Sequence, residues 1–472
     1  MITKNQELEG EVISIGSNGE GVVKADGITV FVPFAIIGEK IKYKILKITS
    51  KCAYGKLLEV LSPSAERVEP RCPVFGKCGG CDLQHVNYGF QLKIKRENVK
   101  NCFRKIAGIE TYVSEPVRCE NPWGYRNKLQ LPVAQYGEET AIGFYAENSH
   151  RVIEIKDCPI NPDWTEKIIA TLKAFMQKYR LKGYNESERS GDIREITVKE
   201  IGGKLIITVV TPKNRLNGIE NLPEMFLKSL DKEFTLFVNK NDKDTNVIYG
   251  EDFTRIYGKN FYYGELDGIK YKGGVLSFLQ VNNEMCGKLY SAVKKAVDSD
   301  EETTVIDAYS GAGLMTALLA KNAKRAIGIE IVKEAVDCAD ELAETNGLKY
   351  RIKNYCGKCE QILPKIIKEE KTDKLRLVLD PPRKGCEQSV IDAIKKSGIE
   401  RIVYVSCMPS TLARDVGLLC GTLKREENGV IVKSEPTDKD YVVESVTPFD
   451  MFPATRHIET LCVLCRNIIT KA

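Results

Sequence analysis

Histidine is nearly absent from this chain of 472 residues: only His85, His150 and His457 occur. A histidine-rich metal site is thereby excluded, and a Ser-His-Asp hydrolase has few candidate bases. No apolar run approaches the roughly 20 residues that a membrane-spanning helix needs. Met1-Ile2-Thr3-Lys4-Asn5-Gln6 leads into no apolar stretch of the signal-peptide kind. A soluble, cytoplasmic protein is the expectation. Internal repeats and low-complexity segments are missing as well. So is any strong charge imbalance, with 70 Lys and Arg against 65 Asp and Glu. The formal charge of +5 permits nucleic-acid binding through local patches without requiring it.

Cysteine is plentiful, at 16 residues. In a cytosolic protein of this size such cysteines divide among metal ligands, catalytic thiols and buried thiols rather than forming a disulfide framework. Apolar residues make up 43%, enough for packed cores. The length suggests two or three domains.

Residues 1–62 alternate in short runs split by glycines, as in Gly10-Glu11-Val12-Ile13 and Ile28-Thr29-Val30-Phe31-Val32. That pattern predicts a small β-barrel, a fold that often binds single-stranded nucleic acid. Ser62-Pro63-Ser64 reads as a linker. A central region, 63–275, contains a basic helical stretch over 87–107. Strands follow from about residue 125, with one helix predicted over Pro162–Arg180 and a hairpin tip at Asn239–Asp244. From residue 276 onward strands alternate with helices. The fold class is therefore α/β and multidomain, ending in a doubly wound Rossmann-like sheet with ligands at the carboxyl ends of its strands.

Three loops in that last region carry chemistry. Asp307-Ala308-Tyr309-Ser310-Gly311-Ala312-Gly313 ends a strand and turns into a helix, and the next strand ends at Glu330. An acid there can hydrogen-bond both hydroxyls of a ribose. No Gly-Lys-Ser/Thr follows, so this is no P-loop. A nicotinamide dinucleotide fits the same pattern, but Leu379-Asp380-Pro381-Pro382-Arg383 further on favours S-adenosylmethionine. Cys407 then follows a buried strand, in Val405-Ser406-Cys407-Met408-Pro409. A thiolate, with Arg383, Lys384 and Arg414 as possible cations, can add to C6 of a uracil ring and so activate C5 for methylation. His457 and Glu459 near the C-terminus are candidate bases for the C5 proton.

With Ser277-Phe278-Leu279-Gln280-Val281-Asn282 and Phe452-Pro453 through Glu459, these motifs stand in the order of a known family. The sequence resembles the RNA uracil-5-methyltransferases, and in particular their bacterial 23S rRNA branch. The resemblance implies Cys407 as nucleophile and Glu459 as general base. It places Gln280, Tyr309, Glu330 and Asp380 around the cofactor, S-adenosylmethionine, and the target base. It likens residues 1–62 to a TRAM domain and Tyr125-Arg126-Asn127-Lys128 to an RNA-contacting stretch. It makes 276–472 the catalytic domain, and 23S rRNA the expected partner, with no membrane and no obligate protein partner. The tRNA enzymes of the family usually lack both the TRAM domain and the cysteine cluster, so tRNA ranks second. A silent RNA-binding protein would not need Cys407 and Glu459. An adenine or guanine methyltransferase would carry an aromatic residue where Arg383 stands.

Cys72-x5-Cys78-x2-Cys81 has ligand-like spacing, with Gly79 and Gly80 allowing a tight wrap and Cys158 the best fourth ligand. On spacing alone zinc and iron are equal. The resemblance implies a [4Fe-4S] cluster on Cys72, Cys78, Cys81 and Cys158, with a structural role or one in shaping the RNA surface.

Overall fold

The computed structural model describes residues 1–370 and 374–467. The chain divides into two compact units. One comprises Met1–Ile94, Glu120–Asn260 and Phe452–Arg456; the other comprises Lys95–Cys119, Phe261–Met451 and His457 onward.

The first unit opens with a six-stranded antiparallel and parallel sheet built from Glu7–Glu11, Ser14–Ile15, Gly21–Ala25, Ile28–Val32, Lys40–Ile48 and Ala53–Ser62. Alternate residues point inward because side chains switch faces at every step of a strand. Val23, Val30, Val32, Ile41, Tyr43 and Ile45 thereby form one buried core. The Ile13 N–H donates to the Val22 carbonyl at 2.9 Å, which brings the first strand's end back onto the sheet. The expected linker is pinned rather than loose. Ser64 donates its N–H to Glu39 at 3.2 Å, and Glu39, fully buried, pairs with Arg67.

The same unit holds a seven-stranded sheet whose central strands are Lys128–Tyr136, Glu195–Ile201, Lys204–Thr211 and Phe234–Lys240. Helix Trp164–Tyr179 buries its apolar stripe, including Ile168, Leu172 and Phe175, in the core beneath the sheet. The expectation of one helix here was too few: Leu222–Ser229 forms a second, with Pro223 in its first turn, where a missing N–H is harmless. The supposed tip at Asn239–Asp244 belongs to a longer connection. Asn239 and Lys240 still lie in a strand, and Asn241 folds the loop by donating to the Val247 and Ile248 carbonyls.

The second unit holds the doubly wound sheet. Its strands are β1 (Thr304–Ala308), β2 (Arg325–Glu330), β3 (Ile352–Cys356), β4 (Leu375–Leu379), β5 (Arg401–Ser406), β6 (Tyr441–Phe449) and β7 (Glu459–Arg466). They lie in the order 3-2-1-4-5-7-6. β1 to β5 run parallel, and β7 enters antiparallel between β5 and β6. The inner parallel strands β1, β2, β4 and β5 are buried on both faces, hence their apolar runs, while β3 lies at the sheet edge and is only partly covered. The direction of winding reverses between β1 and β4. In such sheets that switch point, at the carboxyl ends of the strands, is where ligands bind. Among the described residues, no helix is long and apolar enough to cross a membrane.

Candidate active site

At the switch point β1 carries Asp307 one residue before its end; Asp307 is 2% exposed and accepts a hydrogen bond from Thr316 Oγ1 at 2.6 Å. Tyr309, Gly311 and Gly313 then take positive φ values of 68°, 54° and 80°. The two glycines serve different ends. A Cβ on Gly313 would sit 2.6 Å from Ala339 Cβ, so glycine lets the next helix pack closely. A Cβ on Gly311 would meet nothing within 4 Å, which leaves the backbone open to a ligand.

Glu330, at the end of β2, accepts the Gly311 N–H at 3.0 Å and the Val332 N–H at 2.8 Å. It therefore latches the glycine loop to the neighbouring strand. Asp380 follows β4. Its side chain keeps access to solvent yet is densely surrounded by protein, as a group on the floor of a crevice is, and burial raises its pKa. Burial also pushes Asp307 up to about 7, with the charges of Asp380 and Glu330 adding to the effect and the Thr316 hydrogen bond opposing it. Three carboxylates thus converge, and among the described residues none of them forms an ion pair with a cation.

Tyr309 turns its hydroxyl inward, to the thiols of Cys359 and Cys386. Gln280 is half-buried in the segment leading to helix Asn283–Val297. Two residues on, Asn282 caps that helix by accepting the Met285 N–H at 3.2 Å.

Cys407 comes one residue after β5 and two before helix Pro409–Leu419, half-buried. The β5–β7 ladder pairs Ser406 with Thr460, so its next step sets Glu459 opposite Cys407. The two are 52 positions apart in the chain, and only the antiparallel return of β7 joins them. Burial, then the negative charge of Glu459, raises the Cys407 thiol; the Arg383 guanidinium, hydrogen-bonded to the sulfur, pulls it down. Glu459 itself is 5% exposed, and burial pushes it up to about 8, aided by Asp380 and opposed by Arg383.

Of the three cations in reach by sequence, the structure puts only Arg383 on the thiol among those described. Lys384 pairs with Glu387 at 2.5 Å, and Arg414 pairs with Asp415 at 2.7 Å. Asp415 is a residue that sequence reading missed. Fully buried, it accepts the Cys386 N–H at 2.7 Å and the Tyr404 hydroxyl at 2.7 Å. It thereby anchors the loop that carries Asp380 and Arg383. No motif marked it, because a single acid in an amphipathic helix looks like a solvated one.

In the first unit, Cys72, Cys78, Cys81 and Cys158 line one cavity of about 40 Å³, walled by Phe75, Phe144, Ile155 and Ile160. Among the described residues, no three His, Cys, Asp or Glu side chains are arranged to hold a single metal ion. Backbone N–H groups of Val74 and Phe75 point at Cys72, that of Gly80 at Cys78, and those of Ile160 and Asn161 at Cys158. Burial nevertheless pushes Cys81 up to about 12 and Cys158 to about 11. Gly79 is tightly enclosed: a Cβ there would lie 3.1 Å from the Glu147 backbone.

Comparison with known proteins gives the site its setting. A family described as a methyltransferase domain matches residues 299–439, the doubly wound region. An uncharacterized RNA methyltransferase of Clostridium tetani is 37% identical, over 98% of this chain and 97% of its own length. The chain belongs to the RNA methyltransferase family. Another such methyltransferase, from Listeria monocytogenes, is 36% identical with 99% of both chains covered. Among solved structures, the tRNA (uracil-54, C5)-methyltransferase of Pyrococcus abyssi, in complex with S-adenosyl-L-homocysteine, superposes with a TM-score of 0.74. It is 25% identical, and the match spans 97% of this methyltransferase and 99% of that chain.

Proposed function

We propose that this RNA methyltransferase transfers a methyl group from S-adenosylmethionine to C5 of a uridine, through a covalent bond between Cys407 and C6. The observation that supports this reading is the pairing of Ser406 with Thr460, whose next step brings the Cys407 thiol opposite the buried Glu459 carboxyl. The Cys407 thiolate, held by Arg383, adds to C6, and the electron pair of the C5=C6 bond moves to C5 and the C4 carbonyl. Bound S-adenosylmethionine supplies the electrophilic methyl. Glu459 then takes the C5 proton, the double bond reforms and the sulfur leaves. Burial holds Glu459 near neutrality, where a base is both present and strong enough.

The converging carboxylates of Asp307, Glu330 and Asp380 fit a cationic cofactor. A sulfonium and an ammonium would relieve the burial and mutual repulsion that raise Asp307. The open backbone of Gly311 gives it room. Gln280, Tyr309, Glu330 and Asp380 are the proposed cofactor and base contacts.

We assign the cysteine cavity to a [4Fe-4S] cluster. Zinc, at about 2.3 Å from each sulfur, would draw four thiolates together with no cavity between them. A space of about 40 Å³ exceeds the room one water needs and suits a larger group. The cluster would supply the positive charge that keeps Cys81 and Cys158 as thiolates. Residues 1–62 serve as a TRAM-like RNA-binding module, 63–275 as the cluster-bearing region and 276–472 as the catalytic region.

The substrate we favour is 23S rRNA. A specific observation also supports tRNA. The Pyrococcus abyssi enzyme is named for a tRNA uridine and matches nearly the whole chain, so full length alone does not exclude tRNA. Mapping 5-methyluridine in rRNA and tRNA from cells with and without the gene decides between them. Loss of the modification from 23S rRNA supports the favoured substrate, loss from tRNA the second, and no change in either overturns the proposal.

A further inference from the structure

The chain has two tryptophans, and they live in different surroundings. Trp164 is 2% exposed and donates its indole N–H to Glu200 at 2.8 Å. Trp123 is half-exposed on a loop, and the exposed Arg71 lays its guanidinium over the indole ring, 4.6 Å from the centroid. A large aromatic ring kept at the surface serves no core.

The loop is fixed. The Trp123 N–H donates to Asn121 Oδ1 at 3.2 Å. The Gly124 N–H donates to the Pro159 carbonyl and the Arg126 N–H to the Ile160 carbonyl, both at 2.9 Å. Gly124 has φ +62°, a conformation glycine adopts freely. The indole is thus held by the segment just after Cys158, and the guanidinium belongs to the residue just before Cys72. Both of these cysteines line the same cavity.

An unpaired RNA base stacks readily on aromatic rings and on guanidinium planes, and the arginine charge complements a phosphate. We propose that Arg71 and Trp123 form a stacking platform for one unpaired base of the RNA substrate, its two halves kept in register by the cysteine site. This rests on the chain's membership of the RNA methyltransferases and not on which base is methylated.

Titration of the full-length protein with single-stranded oligouridylate, followed by intrinsic fluorescence, tests the platform. The emission of Trp123 should be quenched on binding, and Trp123→Phe should abolish the quench, since Trp164 is shielded. Trp123→Ala and Arg71→Ala should each weaken binding by roughly 5- to 100-fold, the range that base–aromatic stacking commands. Both should keep the wild-type metal content. A quench that persists in Trp123→Phe, or affinities unchanged in both alanine variants, overturns the proposal. Loss of metal from Arg71→Ala, whose side chain is exposed, also overturns it, because the pair would then be a structural brace. Failure of the uracil-5 reading looks different: RNA would bind and quench normally, yet no adduct would form on Cys407.

Discussion

Glu459→Gln should separate the two halves of the proposed reaction. The substitution keeps the size and removes the proposed base. Burial holds the wild-type carboxyl at about 8. The base form is then present in about one molecule in ten at pH 7 and about nine in ten at pH 9, so proton removal should quicken about tenfold over that span. The sign follows from the role: a general base acts deprotonated, so the rate climbs with pH and levels above about 8. In the glutamine variant that climb should vanish from product release, which should fall by about 10²–10⁴-fold, the usual worth of a positioned base. Addition and methyl transfer should survive. The charge of Glu459, where present, raises the Cys407 thiol, so its removal does not oppose the thiolate. Ordinary uridine RNA and S-adenosylmethionine labelled in the methyl group should therefore yield a protein–RNA band stable to denaturant and carrying label. Release at the wild-type rate would refute the assignment of the base. Absence of any adduct would place Glu459 in substrate binding instead.

The remaining predictions concern the neighbours of that residue and the cysteine site. Cys407→Ala should form no covalent complex with 5-fluorouridine RNA, which traps the wild type because fluorine at C5 cannot leave as a proton; trapping in the variant would end the covalent reading. Arg383→Ala should move the pH dependence of Cys407 alkylation upward by about one unit or more, since it removes the cation on the sulfur; an unmoved profile, read by peptide mass mapping, would assign thiolate stabilisation elsewhere. Asp415→Ala should lower stability by roughly 3 kcal/mol, because it strands Arg414 and the buried Cys386 N–H and Tyr404 hydroxyl. A thermal melt checks this, and Asp415→Asn should recover part of the loss. Protein purified without oxygen should be brown and carry about four irons per chain. Cys158→Ser should lower that content, while stoichiometric zinc without iron would reject the cluster.

Sequence determined the fold class and most of the elements of the second unit. The strands before Asp307, Glu330, Asp380 and Cys407 are buried on both faces. Their hydrophobic runs and glycine punctuation are local signals that survive without knowledge of the partner strands. The family resemblance carried by the motif order led to the proposal that Cys407 and Glu459 act in one reaction before any distance was known. The helix Leu222–Ser229 was hidden because a short amphipathic run among strands gives an ambiguous period. Only tertiary structure chose Arg383 over Lys384 and Arg414 as the cation on the thiol, since the choice depends on which carboxylates occupy the other two. It alone revealed Asp415 as an anchor, because burial of a single acid leaves no mark on its neighbours in sequence. It alone set Cys158 in one cavity with Cys72, Cys78 and Cys81. It alone brought Glu459 to Cys407, through a hydrogen-bonded ladder whose register is a property of two strands together.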